Sequence, residues 1–317
     1  MKWLFLRGEW DKNNEYCALN KLDMWLELFE ELVGDGQGYV WYKDNKNHGY
    51  RYSDKLMVIC GKLPKVVRDS CGIVFARGGF DYYNKVLKKF KGFRVYYGAG
   101  KRTVPSKKPY ADLILVDSLN QKEKVEKRLN VKSQVFAKPA ASIFKPMDIP
   151  KKYDVGYVAV IPEDDRKRCA WVYKTCPADL KVLQMGNTPK KLKTPKNFTI
   201  KTVRRDKMVK LINQCRVIIV PYTGDDSGPR IIPEALACGV PIILADSVNF
   251  YHTKYISYLM GECTGAVVLD FKKYFWKSVT AWVELGEDKE DIVSYYNKHL
   301  SLKSCASHLK GIICDKG

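Results

Sequence analysis

The sequence predicts an α/β protein of two domains, each built on a parallel sheet, with the two sheets facing across a cleft. Three observations predict it. The 317 residues exceed one ordinary core and fit two domains of about 150 residues. Short, nearly continuous apolar runs alternate with helix-like stretches, as parallel strands covered on both faces require. Near the middle of the chain Pro139, Pro146 and Pro150 punctuate a stretch without periodicity, which suits an extended linker.

The elements follow in order. In the first half the apolar runs are 3–6, 39–42, 56–60, 73–76, 93–97, 113–116 and 134–137. In the second half they are 155–160, 181–185, 217–220, 241–244 and 266–269. Leu22, Trp25, Leu26, Phe29 and Leu32 recur at helical spacing, and Gly34 ends that helix. Residues 206–214, 289–299 and 301–314 also read as helices. The expected divisions are a first domain over 1–145, a second over 146–300, and a terminal helix over 301–317.

Composition bounds the function. Apolar residues make up 46% and charged residues 28%, so wholesale disorder is excluded. The unusual quantity is charge: 55 Lys and Arg against 35 Asp and Glu give +20, which points to an anionic partner. Residues 1–150 carry +11 and residues 151–317 carry +9, so no detachable basic arm holds the excess. The ten cysteines show no C-x-x-C pair and read as reduced, mostly buried thiols of a cytosolic protein. The first six residues are too short for a signal sequence, and no apolar run is long enough to span a membrane.

One stretch carries the chemistry. Residues 217–244 read as strand, glycine-containing loop, short helix, glycine stop and second strand. Gly224 and Gly228 let backbone approach a ligand closely. Pro229 suits the first turn of the helix and Gly239 its end. Loop amides, the helix start and Arg230 together suit a phosphate. Asp226 in the loop and Glu234 in the helix lie eight apart, so both can project toward the same ligand.

This stretch resembles the donor-binding motif of the retaining family-four (group 1) glycosyltransferases of the GT-B class. The hallmark is an acid, seven residues and a glutamate, then Ala-hydrophobic-Ala-x-Gly-x-Pro; here it reads Asp226 to Glu234-Ala-Leu-Ala-Cys-Gly-Val-Pro241. The resemblance implies a GT-B fold of two Rossmann-like domains, with the acceptor on the first and the nucleotide-sugar on the second. It implies that Glu234 holds the ribose and that Asp226, where the family usually has glutamate, lies beside the transferred sugar. Ser227, Gly228, Pro229 and Arg230 would contact the sugar and diphosphate. Weaker landmarks agree. Residues 112–118 resemble the family's last first-domain strand, ending in a serine before a helix, and 137–146 resemble its interdomain crossing. Residues 155–161 resemble the first strand of the nucleotide domain. The family grips the diphosphate with an arginine at that strand's end and a lysine in the next loop; Arg166 and Lys167 are the candidates here. In this fold the terminal helix often packs back on the first domain.

Breaking a glycosyl–phosphate bond builds negative charge on the leaving diphosphate. Some enzymes neutralise it with a metal held by Asp-x-Asp. That triplet is absent from the chain, so basic side chains and backbone amides would do this work, and transfer is expected to need no metal and no cofactor.

Other features are weaker. Residues 82–111 hold nine Lys and Arg and no acid, interleaved with aromatics. They read either as an acceptor or membrane-surface patch or as a solvated basic face over a core. Arg7, Gly8, Tyr97, Gly98, Lys101 and Arg102, near strand ends, are acceptor-side candidates, with the Arg77 turn beside them. The basic run 190–210 reads as a solvent-facing connection, Glu163 to Asp165 as a polar helix start, and the four histidines as structural or surface groups. The expectation is a metal-independent retaining glycosyltransferase moving a sugar from a nucleotide-diphosphate sugar to a glycan, lipid-linked or other acceptor. It would be cytoplasmic and able to contact an anionic membrane peripherally. The alternatives are a nucleotide-sugar epimerase of the same fold, a transferase-like protein that only binds sugar, and a basic nucleic-acid-binding protein, for which no motif is present.

Overall fold

The computed structural model describes residues 1–9, 11–78, 81–98, 107–160, 167–222, 229–245, 262–268, 270–286 and 288–315. The chain divides into two units. The first comprises Met1–Ser142 and Leu302–Gly317, the second Ile143–Ser301.

Among the described residues the first unit holds one eight-stranded sheet in the order β3-β4-β2-β1-β5-β6-β7-β8. Its strands are β1 (Lys2–Glu9), β2 (Gln37–Lys43), β3 (His48–Arg51), β4 (Leu56–Cys60), β5 (Ile73–Arg77), β6 (Phe93–Gly98), β7 (Leu113–Val116) and β8 (Gln134–Val135). All neighbours are parallel except β3 on β4. That antiparallel edge is absent from the sequence reading, because His48-Gly-Tyr-Arg51 is short, polar and largely exposed. Residues 113–116 are also not the last strand, since β8 pairs beyond them.

Alternation along the strands makes two cores. On one face Leu4, Leu6, Val74 and Ala76 pack with Tyr83 and Leu87 of α4 (Asp81–Lys89) and Val125 of α5 (Leu119–Leu129). On the other face Phe5 stacks on Phe29 of α2 (Met24–Val33), centroids 3.8 Å apart, and meets Phe75 at 6.3 Å. The α2 start is fixed by Asp23, whose carboxylate accepts the Trp25 amide, and its end by Gly34 at φ 61°. Buried Glu27 of α2 accepts the amide of Ser142 at 2.8 Å, tying down the chain where the first unit ends. The last helix, α11 (Leu302–Cys314), packs on α2, and Lys310 donates to the Glu31 carbonyl at 3.0 Å.

The second unit holds six parallel strands in the order β11-β10-β9-β12-β13-β14. They are β9 (Tyr153–Ala159), β10 (Val182–Gly186), β11 (Phe198–Lys201), β12 (Cys215–Val220), β13 (Ile242–Ala245) and β14 (Gly265–Val268). The helices are α6 (Cys169–Thr175), α7 (Arg205–Asn213), α8 (Ile231–Ala237), α9 (Phe271–Leu285) and α10 (Lys289–His299). In chain order this is the doubly wound 3-2-1-4-5-6 arrangement, which reverses direction between β9 and β12. Between them Gly156 leaves room for β12 side chains: a Cβ there would lie 2.4 Å from Ile218 Cδ1 and 2.8 Å from Cys215 Sγ. Among the described residues no helix is long and apolar enough to cross a membrane. Six of the ten cysteines are buried.

Phe5 joins β1 to α2 and β5, so Phe5→Ala should cost the first unit about 3–5 kcal/mol, read as a lowered urea midpoint.

Candidate functional site

Open parallel sheets bind ligands beyond the strand carboxyl ends, at the point where strand order reverses. In the second unit that point lies after β9 and β12. Both strands are wholly apolar at their ends, and their exits carry the residues of interest. Asp226, Ser227 and Gly228, and Arg166 on the other exit, lie outside the described residues. Pro229 is buried, and exposed Arg230 is the N-cap residue of α8. The helix itself is buried along its whole length, and Gly239, at φ 69°, follows its end.

Glu234, one turn into α8, is only 2% exposed. A carboxylate so placed needs a partner. It finds Arg205, the first residue of α7, whose Nη2 donates to Glu234 Oε1 at 2.6 Å; the two side chains are 16% and 3% exposed. The guanidinium also lies 5.2 Å from the centre of the Phe144 ring. Asn213, at the far end of α7, fixes that ring's neighbourhood. It accepts the Met147 amide at 2.8 Å and donates to the Lys145 carbonyl at 3.0 Å. The Arg205 Nε is buried and has no hydrogen-bond partner. The pair therefore presents an oriented carboxylate with a guanidinium at its back.

Arg205 corrects the reading of 190–210 as a solvent-facing connection. The sequence signal was helical period: Arg205, Met208, Val209 and Ile212 share one face of α7, so an arginine there faces inward.

Lys167 is brought to the same edge. Its ammonium lies 3.5 Å from the centre of the Tyr222 ring, just beyond β12. Two tyrosines fix the local backbone: Tyr157 donates to the Lys167 carbonyl at 2.7 Å and Tyr222 to the Val158 carbonyl at 2.6 Å. Arg168, at φ 53°, turns to the Phe271 ring at 3.9 Å, and burial pulls its guanidinium below the ordinary range. Among the described residues no three His, Cys, Asp or Glu side chains gather as a metal site would need.

The carboxyl edge of the first sheet holds the other candidates, except Lys101 and Arg102, which lie outside the described residues. Arg7, two residues before the end of β1, pairs with Asp23 at 2.6 Å, both nearly buried. Its Nε donates to the Tyr42 hydroxyl at 3.4 Å. Gly8 has φ 101°, a conformation that favours glycine. Tyr97 has no exposed surface, and its hydroxyl is given to Asp117, which Lys138 also contacts at 3.1 Å. Tyr97 is thus a structural residue rather than an open acceptor contact, and Gly98 ends the strand behind it. In the basic stretch, Tyr83, Phe90, Tyr96 and Tyr97 are all buried in the core. Those rings offer no stacking platform for bases.

No sequence-family model matches the chain, and no curated protein matches it in sequence. Solved structures do. Sucrose-phosphate synthase from Thermosynechococcus elongatus aligns at a TM-score of 0.66 and 12% identity, over 99% of this chain and 98% of that one. The lipopolysaccharide outer core galactosyltransferase WaaB aligns at 0.65 and 14%, over the whole of both chains. Alr3699/HepE of Anabaena, solved with UDP and glucose, aligns at 0.64 and 11%, over 99% of this chain and all of that one. The chain has the GT-B fold.

Removing one partner of a buried ion pair strands the other charge. Arg205→Ala should cost the second unit about 3 kcal/mol in urea unfolding, and adding Glu234→Gln should recover part of it. At Asp23 burial opposes the charge, but Arg7 and the Trp25 amide outweigh it and hold the carboxyl below its usual range. The folded value is depressed, so this contribution is present above the unfolded value of about 3.9 and is lost as pH falls through the folded one. Asp23→Asn should lower stability at neutral pH and flatten the acid limb of a stability–pH curve.

Proposed function

We propose that this protein is a glycosyltransferase that moves a sugar from a nucleotide-diphosphate sugar to a glycan, lipid-linked or other acceptor, with retention of configuration and without a metal or cofactor. The observation that carries the reading is the buried Glu234–Arg205 pair beside the switch point of the second sheet. A carboxylate oriented from behind by a guanidinium is suited to accept hydrogen bonds from two adjacent hydroxyls, as a ribose presents them. The HepE structure, with UDP and glucose bound, supports the same donor class here.

In this reading the diphosphate lies against Lys167, Arg230 and Arg166, with the Ser227–Gly228 backbone and Pro229 lining the sugar. When the glycosyl–phosphate bond breaks, the charge that grows on the leaving oxygen meets cations already in place, so little reorganisation is needed. Asp226 stands by the sugar at the reacting centre. An anionic membrane could lie against the basic first unit as the source of a lipid-linked acceptor.

Calorimetric titration with UDP, GDP and their sugar conjugates, in EDTA, tests the donor claim. Binding of at least one is expected, and its absence for all, or its dependence on added metal, sinks the reading. Glu234→Ala should weaken nucleotide binding by about tenfold or more, some 1.4 kcal/mol. Asp226→Ala should instead slow transfer while binding persists. Product anomeric configuration, read by NMR, tests retention.

A further inference from the structure

The carboxyl edge of the first sheet holds a charge that its own residues do not neutralise. Strand order in this sheet reverses between β1 and β5. Arg7 stands near the end of β1 and Arg77 at the end of β5, each following the Leu6–Ala76 pair in register. They follow Phe5 and Phe75 by two positions, so both leave the sheet on the face covered by α2. Two arginines therefore share the switch point, where a ligand is expected.

The carboxylates nearby are already engaged. Asp23 gives one oxygen to Arg7 and the other to the Trp25 amide. Asp117 is held by Tyr97 and Lys138. Glu27 holds Ser142. Among the described residues no carboxylate forms a salt bridge with Arg77, whose buried Nε has no hydrogen-bond partner. Its guanidinium lies over the Trp25 ring at 4.9 Å, which attracts the charge but accepts no N–H in the guanidinium plane. Arg7 Nη1 is likewise buried and unpartnered, on a side chain only 6% exposed. Burial and the neighbouring Arg7 charge together pull Arg77 down to about 10. A protein that needed only packing here could place an apolar side chain on Trp25 at no such cost.

We propose that Arg77 and the free Nη1 of Arg7 form a binding site for a phosphate group of the acceptor. A phosphate offers three or more acceptor oxygens in a tetrahedron, so one group can take N–H donors from both guanidiniums at once and leave further oxygens for solvent, and the acetate control tests whether two oxygens suffice. Only the word acceptor rests on the transferase reading; the anion site stands without it.

The test uses the full chain, titrated with inorganic phosphate in the presence of UDP, with acetate as the control anion. Phosphate should bind and acetate should not. Arg77→Met should weaken phosphate by about tenfold or more and Arg77→Lys by less, because an ammonium keeps the charge but loses the fork. UDP affinity should be the same in all three proteins. In phosphate-free buffer Arg77→Met should melt no lower than the parent, since it removes a buried donor that has no partner; if it does not fold, Arg77→Lys carries the comparison. A second arm replaces free phosphate with phosphatidylcholine vesicles containing phosphatidic acid. Arginine-dependent binding to vesicles but not to free phosphate supports the site and assigns it to a lipid headgroup; dependence with free phosphate supports it and assigns a soluble ester. Equal affinity in parent and variants, or no binding in either arm, overturns the proposal. Loss of UDP binding alone would strike the donor reading and leave this one standing.

Discussion

Parallel strands can be joined only by crossovers that return over a sheet face, and this constraint organises both units. Because every crossover brings the chain back to the same side, all the parallel strands end on the same edge, and only the antiparallel β3 runs the other way. In the second unit that edge collects Lys167, Tyr222 and the start of α8; in the first it collects Arg7, Arg77, Tyr97 and Asp117. Residues far apart in sequence become neighbours without any local signal linking them. The candidate residues gather where the winding direction changes, since only there do two adjacent exits diverge and leave room.

At both edges the polar groups are buried to an extent that demands partners, and the two edges answer differently. Glu234 is answered by Arg205, and the pair is backed by Phe144. Such a pair adds little net stability compared with apolar residues of the same volume, but it fixes the direction in which a carboxylate points. At the first edge Asp23 and Asp117 answer Arg7 and Lys138, and Arg77 remains over. A buried guanidinium nitrogen without a partner costs stability in the protein alone, and an anion that reached it would relieve that cost.

The fold was legible where burial was two-sided. Strands such as β1, β5 and β12, buried along most of their length, left unbroken apolar runs, and the 3.6-residue repeat of α2 was plain. Elements at the sheet margins, β3 and β11, carried His48, Arg51, Thr199 and Lys201 and left no such run. The site was legible as far as it was contiguous. Glu234, Pro229 and Arg230 lie within one motif, whereas Arg205 is 29 positions from Glu234 and hidden in a lysine-rich stretch. Tyr97 read as an open strand-end residue because its partners, Asp117 and Lys138, come from other parts of the chain. Local pattern carries the backbone; pairing between buried charges needs the topology.

The packing of α11 on α2 has a kinetic meaning. The contact between Lys310 and Glu31 spans 279 positions, and the whole of the second unit is synthesised in between. The second unit can collapse on contacts within one continuous segment, while α2 and α11 come from opposite flanks of it. Closing so large a loop from an unfolded chain is entropically unfavourable, and prior folding of the intervening unit shortens the span that must be searched. The chain after the second unit therefore joins the first by the docking of a helix rather than the pairing of a strand.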